Sequence, residues 1–201
     1  MAQTADIFEQ AIDEHLKVIR SLHDQVPLLN RIASRMSRTI LDGGTILWCG
    51  NGGSAADAQH LAAELVGRFL QERRGLPSIA LTTNTSILTS ISNDYGYENV
   101  FRRQVEALCV SGDIVVGLST SGNSKNVCLA LESAHQRGAF TVAFTGQDGG
   151  AVASIADETL RMPSNETPRI QEGHILCGHM LCDYIEKCVC ETPITQSANR
   201  P

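Results

Sequence analysis

No stretch of the chain approaches the ~18 unbroken apolar residues that a membrane helix needs, so no spanning segment is expected. The first residues are polar and amphipathic, without the apolar centre of a secretory leader, which points to a cytoplasmic protein. No basic block occurs: 16 Lys and Arg stand against 22 Asp and Glu, a formal charge of −6. That balance argues against nucleic-acid binding by bulk electrostatics. Cysteine occurs seven times, an odd number, and never with zinc-finger spacing. These thiols read as small buried hydrophobes in a reducing compartment, and nothing near Cys188 and Cys190 argues for a redox role. Repeats, linkers and low-complexity segments are absent too.

What is there describes an ordinary globular protein. Of its 201 residues 42% are hydrophobic and 19% charged, enough for one α/β domain with a full core. Ile7, Ala11, Ile12, Leu16, Ile19 and Leu22 recur at helical spacing through residues 4–24. A second helix is expected from Pro27 to Leu41, stopped by Asp42-Gly43-Gly44. Both precede the first strand, so residues 1–43 read as a two-helix arm serving oligomerisation.

Strands and helices then alternate. Strands are expected at 45–49, 77–81, 113–118, 140–145 and 156–161, with helices at 54–70, 84–93, 97–108, 123–137, 148–154 and from Pro168 to Cys190. Residues 113–118 and 140–144 are apolar without alternation, the pattern of strands covered on both faces of a parallel sheet. The fold class is therefore α/β, a five-stranded parallel sheet flanked by helices. Residues 44–192 form its core and 193–201 a frayed tail, in a single domain spanning 1–201.

Two turns carry chemistry. Gly50-Asn51-Gly52-Gly53-Ser54 follows the first strand and opens a helix. It lacks the Gly-Lys-Ser/Thr of a Walker loop and the third glycine of a dinucleotide fingerprint. Its glycines let backbone approach a ligand, and Ser54 is expected to cap a helix whose positive end faces the same spot. After the third strand, Ser119-Thr120-Ser121-Gly122-Asn123-Ser124 offers four hydroxyls and backbone N–H groups, a neutral cradle for phosphate. Ligands of open parallel sheets bind at this strand edge. Asn93-Asp94-Tyr95-Gly96 stops a helix and has the groups to orient sugar hydroxyls.

Asp57, His60 and Glu64 share one face of an Ala- and Leu-rich helix, where unpaired burial would be costly. The four-residue step from His60 to Glu64 suits two ligands on one divalent metal, zinc first among candidates. The last helix adds Gln171, Glu172, His174 and His179. Gln171 and His179 are separated by roughly 12 Å along a regular helix, so one ion can take both only from two copies of the chain.

The segments Gly50–His60, Asn93-Asp94, Ser119–Ser124 and Arg169–Glu172, in this order, resemble the phosphoheptose isomerases of the sugar-isomerase (SIS) domain superfamily. The likeness runs over nearly the whole chain, including the N-terminal helices. It implies a SIS-type, flavodoxin-like sheet and a homotetramer with active sites at subunit interfaces. It also implies one Zn2+ per subunit on His60, Glu64, Gln171 and His179. Substrate contacts would fall on Asn51, Gly52, Gly53, Ser54, Asn93, Asp94, Ser119, Thr120, Ser121, Ser124 and Gln171. Glu64 and His179 would be the acid–base pair, with Asp57 sharing the proton work. The implied reaction converts sedoheptulose 7-phosphate to D-glycero-D-manno-heptose 7-phosphate through an enediol, on the way to ADP- or GDP-heptose for bacterial surface glycans. Two other members of the superfamily compete: a non-catalytic adaptor that binds the replication initiator protein, and an isomerase of another sugar phosphate, such as a pentose 5-phosphate. An adaptor has no need for His60, Glu64 and His179.

Overall fold

Five parallel strands form one sheet in the order β2-β1-β3-β4-β5, in a computed structural model that describes residues 2–191, and side chains from residue 6. The strands are β1 (Ile46–Gly50), β2 (Ser78–Ala80), β3 (Ile114–Ser119), β4 (Phe140–Thr145) and β5 (Glu158–Arg161). Helices α1 (Ala2–Ser21), α2 (Val26–Leu41), α3 (Gly53–Val66) and α8 (Thr167–Glu191) cover one face; α4 (Thr85–Tyr95), α5 (Arg102–Leu108), α6 (Lys125–Gln136) and α7 (Val152–Ile155) belong to the other side.

The pleat explains the two layers. Ile46, Trp48, Ile114, Val116 and Leu118 point into the α1/α2/α3/α8 core, while Leu47, Cys49 and Val115 point into the α5/α6 core. Both faces are apolar, which is why no alternation shows in the sequence. The one buried polar group on Trp48 is satisfied, its Nε1 donating to Ser78 Oγ at 2.9 Å.

Three expectations change. Helix α2 is no appendage: Ile32, Met36 and Ile40, four apart, have 0% exposure and pack in the core beside α8. Burial of each such side chain is worth about 1.5–3 kcal/mol. Only α1 stays partly uncovered, with Val18 buried while Ile7 is 60% and Phe8 71% exposed. The helix expected over 54–70 stops at Val66, and the chain runs irregularly to β2. The helix expected at 148–154 shrinks to the four residues of α7, because Gly149 and Gly150 both take positive φ. The expected tail, 193–201, lies outside the described residues.

The order reverses between β1 and β3. That switch point opens a crevice at the carboxyl ends of both strands, and the two candidate turns leave from there. Among the described residues no helix is long and apolar enough to cross a membrane.

Candidate functional site

At the end of β1, Gly52 turns the chain with φ +55°, and α3 starts at Gly53. Gly52, not Ser54, therefore holds the cap position, and no side chain caps the helix. Ser54 is instead buried within the first turn. Gly53 permits a close approach that no other residue would: a Cβ there would sit 2.6 Å from Gln171 Nε2 of α8. At the end of β3, Ser119 Oγ donates to Ser124 Oγ at 2.9 Å and accepts from the Ser124 N–H at 3.3 Å, closing the hydroxyl-rich loop on itself.

Between the turns lies a cavity of about 300 Å³. Asn51, Gly52, Gly53, Ser54, Ser119, Thr120, Ser124 and Gln171, all expected substrate contacts, line it together. Ser121 lines a neighbouring cavity of about 260 Å³ that shares Thr120 and Thr167 with the first. Asn93 and Asp94 line neither; they are exposed at the end of α4, where Asn93 Nδ2 donates to Asp94 Oδ1 at 2.8 Å.

Further along α3 the ionisable stripe meets α8. His60 Nε2 lies 2.9 Å from His179 Nε2 and 3.2 Å from Glu64 Oε1. The donor atoms of His60, Glu64 and His179 all fall within 4.8 Å of one another. Two ligands at ~2.0–2.1 Å from a tetrahedral zinc stand about 3.3 Å apart, so this trio fits such an ion with little movement. Gly178 allows the approach: its Cβ would meet Leu61 of α3 at 2.5 Å. Gln171, two turns back along α8, sits at the cradle against Gly53. Asp57 stands one turn before His60, its Oδ2 buried without a partner. Burial lifts its carboxyl to about 6, against the opposing pull of His60.

The irregular segment after α3 is held by a pair that sequence reasoning missed. Glu186 of α8 is fully buried and accepts the N–H groups of Phe69 (2.9 Å), Leu70 (2.6 Å) and Gln71 (2.7 Å). Arg73 lies 3.0 Å from Glu186 and donates to the carbonyls of Glu64, Leu65, Gly67 and Arg74. Burial pushes the Glu186 carboxyl up, but these three N–H donors and Arg73 outweigh it and hold it below the usual range. The result sets the end of α3 and places the Phe69 ring 5.6 Å from the His179 ring. Partners 113 to 117 positions apart leave no local periodicity to find them by. Asn126, paired with Asn51, was missed for the same reason.

The SIS domain family matches residues 8–146. A phosphoheptose isomerase of Aquifex aeolicus is 54% identical over 185 residues, covering 92% of this chain and 95% of that protein. One from Geobacter sulfurreducens is 58% identical over 163 residues, covering 80% of this chain and 86% of that protein. Among solved structures, a phosphoheptose isomerase from Neisseria gonorrhoeae superposes with TM-score 0.83 at 44% identity, covering 92% of this chain and 98% of that one. Another from Francisella tularensis gives 0.85 at 36% identity, with 92% and 97% covered.

Proposed function

The chain belongs to the SIS-domain family and, within it, to the phosphoheptose isomerases, and from that premise we propose that it converts sedoheptulose 7-phosphate to D-glycero-D-manno-heptose 7-phosphate. It is an aldose–ketose isomerase acting in heptose biosynthesis. The observation that carries this reading is the meeting of His60, Glu64 and His179 on the same two helices, α3 and α8, that build the cradle.

The cradle grips the phosphate: Thr120, Ser121 and Ser124 give hydroxyl donors, Ser119 orients Ser124 by donating to it, and residues 52–54 give backbone N–H groups at the start of α3. Asn93 and Asp94 orient sugar hydroxyls. His60, Glu64 and His179 would hold one zinc per subunit, with Gln171 of a second copy as the fourth ligand. When bound, the ion polarises the carbonyl and stabilises negative charge on its oxygen.

Glu64 removes a proton from C-1 of the ketose and returns it to C-2, leaving the enediol between the two steps. His179 carries the hydroxyl proton from O-1 to O-2. A carboxylate held tightly by a metal is a poor base, so Glu64 alternates between the two duties or Asp57 shares the second. Asp57 suits that share, since a carboxyl near 6 gains and loses protons easily close to neutrality.

The separation of Gln171 from His179 calls for more than one copy at each site, and the exposed apolar residues of α1 give copies a surface to meet on. A cytoplasmic homotetramer supplying activated heptose for bacterial surface glycans is the reading that follows. The adaptor alternative has no support from the relatives matched, and the ionisable trio would serve it no purpose.

The enediol route is tested by running the reaction in deuterium oxide. Deuterium is expected at C-2 of the aldose, because the Glu64 side chain is partly open to solvent. Product wholly free of deuterium contradicts it, since a direct hydride shift would give that outcome.

A further inference from the structure

We propose that Asn126 and Tyr97 are positioning residues that make Asn51 a hydrogen-bond donor only, so that the cradle selects an acceptor oxygen such as that of a phosphate. The inference rests on the cradle reading above and deepens it.

The N–H of Val127 can only donate, and it is shared between the Ser124 carbonyl and Asn126 Oδ1, each at 3.0 Å. The second contact fixes which end of the Asn126 amide is oxygen. Asn126 is buried, so its Nδ2 needs an acceptor, and it donates to Asn51 Oδ1 at 2.8 Å. Asn51 Nδ2 returns a bond to Asn126 Oδ1 at 2.9 Å, closing a head-to-tail pair of amides. Tyr97, in the turn after α4, then donates its hydroxyl to the same Asn51 Oδ1 at 3.1 Å.

The Asn51 carbonyl oxygen has two lone pairs, and Asn126 and Tyr97 take both. The amide nitrogen has two hydrogens, and Asn126 takes one. What remains is a single N–H on a residue that lines the cavity. The hydroxyls of Thr120 and Ser124 can each rotate to donate or accept. Asn51 cannot, because its orientation is inherited from a helix backbone through Asn126. It therefore favours a phosphate oxygen and disfavours a donor such as an ammonium group.

Binding of inorganic phosphate, measured by calorimetry, tests this independently of turnover, beside KM and kcat for the sugar phosphate. Tyr97→Phe removes one hydroxyl from an exposed ring, and Asn126→Ala removes the anchor. We expect the phosphate Kd and KM to rise together, about 3-fold in Tyr97→Phe and about 10-fold or more in Asn126→Ala, with kcat within about 2-fold. The thermal midpoint of Tyr97→Phe should stay at the wild-type value, which a merely structural role does not require of KM. Where Asn126→Ala fails to fold, Tyr97→Phe decides alone. Wild-type affinity for phosphate in Tyr97→Phe overturns the proposal and leaves the isomerase standing. A wild-type protein that binds no phosphate overturns the cradle and the proposal together, and turnover of the sugar phosphate then judges the isomerase separately.

Discussion

His60 and His179 are 119 positions apart in sequence, yet their Nε2 atoms face each other at 2.9 Å across α3 and α8. Two imidazole nitrogens so close, with Glu64 Oε1 at 3.2 Å from one of them, form a site ready for a cation. A ligand that binds only the folded state stabilises it by about 4 kcal/mol at 1,000 times its Kd. Zinc added to metal-stripped protein should therefore raise the thermal midpoint, and His60→Ala should abolish the rise. Differential scanning fluorimetry with and without zinc checks it; an equal rise in the variant would place the ion elsewhere.

Glu186 and Arg73 are both buried, so breaking the pair leaves one charge without its partner. Glu186→Ala also strands the N–H groups of Phe69, Leu70 and Gln71. A loss of about 3–5 kcal/mol is expected from urea unfolding. A loss below about 1 kcal/mol would mean that the segment after α3 finds other partners.

Acid should act through two groups of opposite sign. Burial lowers His174 from 6.5 to about 4, outweighing the bond of its Nε2 to the Thr145 carbonyl. The unfolded chain then holds the extra proton between those values, so stability falls as pH drops from 6.5 towards 4, by about 3 kcal/mol. Asp57, raised by burial to about 6, works the other way: the folded state holds the proton from 3.8 to 6, and stability rises as pH drops. His174→Gln should flatten the acid loss and Asp57→Asn should steepen it, measured as thermal midpoint against pH. Identical slopes in the two variants would contradict the assignment.

Gly53→Ala should separate activity from stability. The new Cβ would stand 2.6 Å from the Gln171 amide, the far end of a flexible side chain, so Gln171 moves and the backbone stays. Displacing a substrate contact by about 1 Å can cost on the order of 100-fold in kcat/KM. Steady-state kinetics should show such a loss with a nearly unchanged melting midpoint. A large drop in midpoint would mean that the backbone, not Gln171, had given way.

How much of this was legible in the sequence depends on the range of each interaction. The apolar runs of β3 and β4 were readable because burial on both faces writes itself into consecutive residues; the observed strands, 114–119 and 140–145, differ from expectation by one residue at most. The two turns were readable because Gly52 and the Ser-rich loop need particular backbone or donor chemistry. His60 and Glu64 stood out by their four-residue step. The early end of α3 at Val66 had one local mark, its C-cap Gly67, which the expected span 54–70 ran past; what holds the segment beyond it, Glu186 accepting from Phe69, Leu70 and Gln71, lies more than 110 positions away and left no local pattern. The place of α2 in the core was hidden too, because an amphipathic stripe says that a helix packs without saying on what. Asn126 looked like any helix residue until Asn51 was found beside it.

The most direct test is to follow sedoheptulose 7-phosphate by NMR with purified protein, zinc present, and to repeat it with a chelator and with Glu64→Gln. Growth of aldose signals in the first sample, their loss on chelation, and a rate about 100- to 10,000-fold lower in the variant are expected. Unchanged ketose in the zinc-loaded wild-type sample would contradict the assignment of this chain as an isomerase.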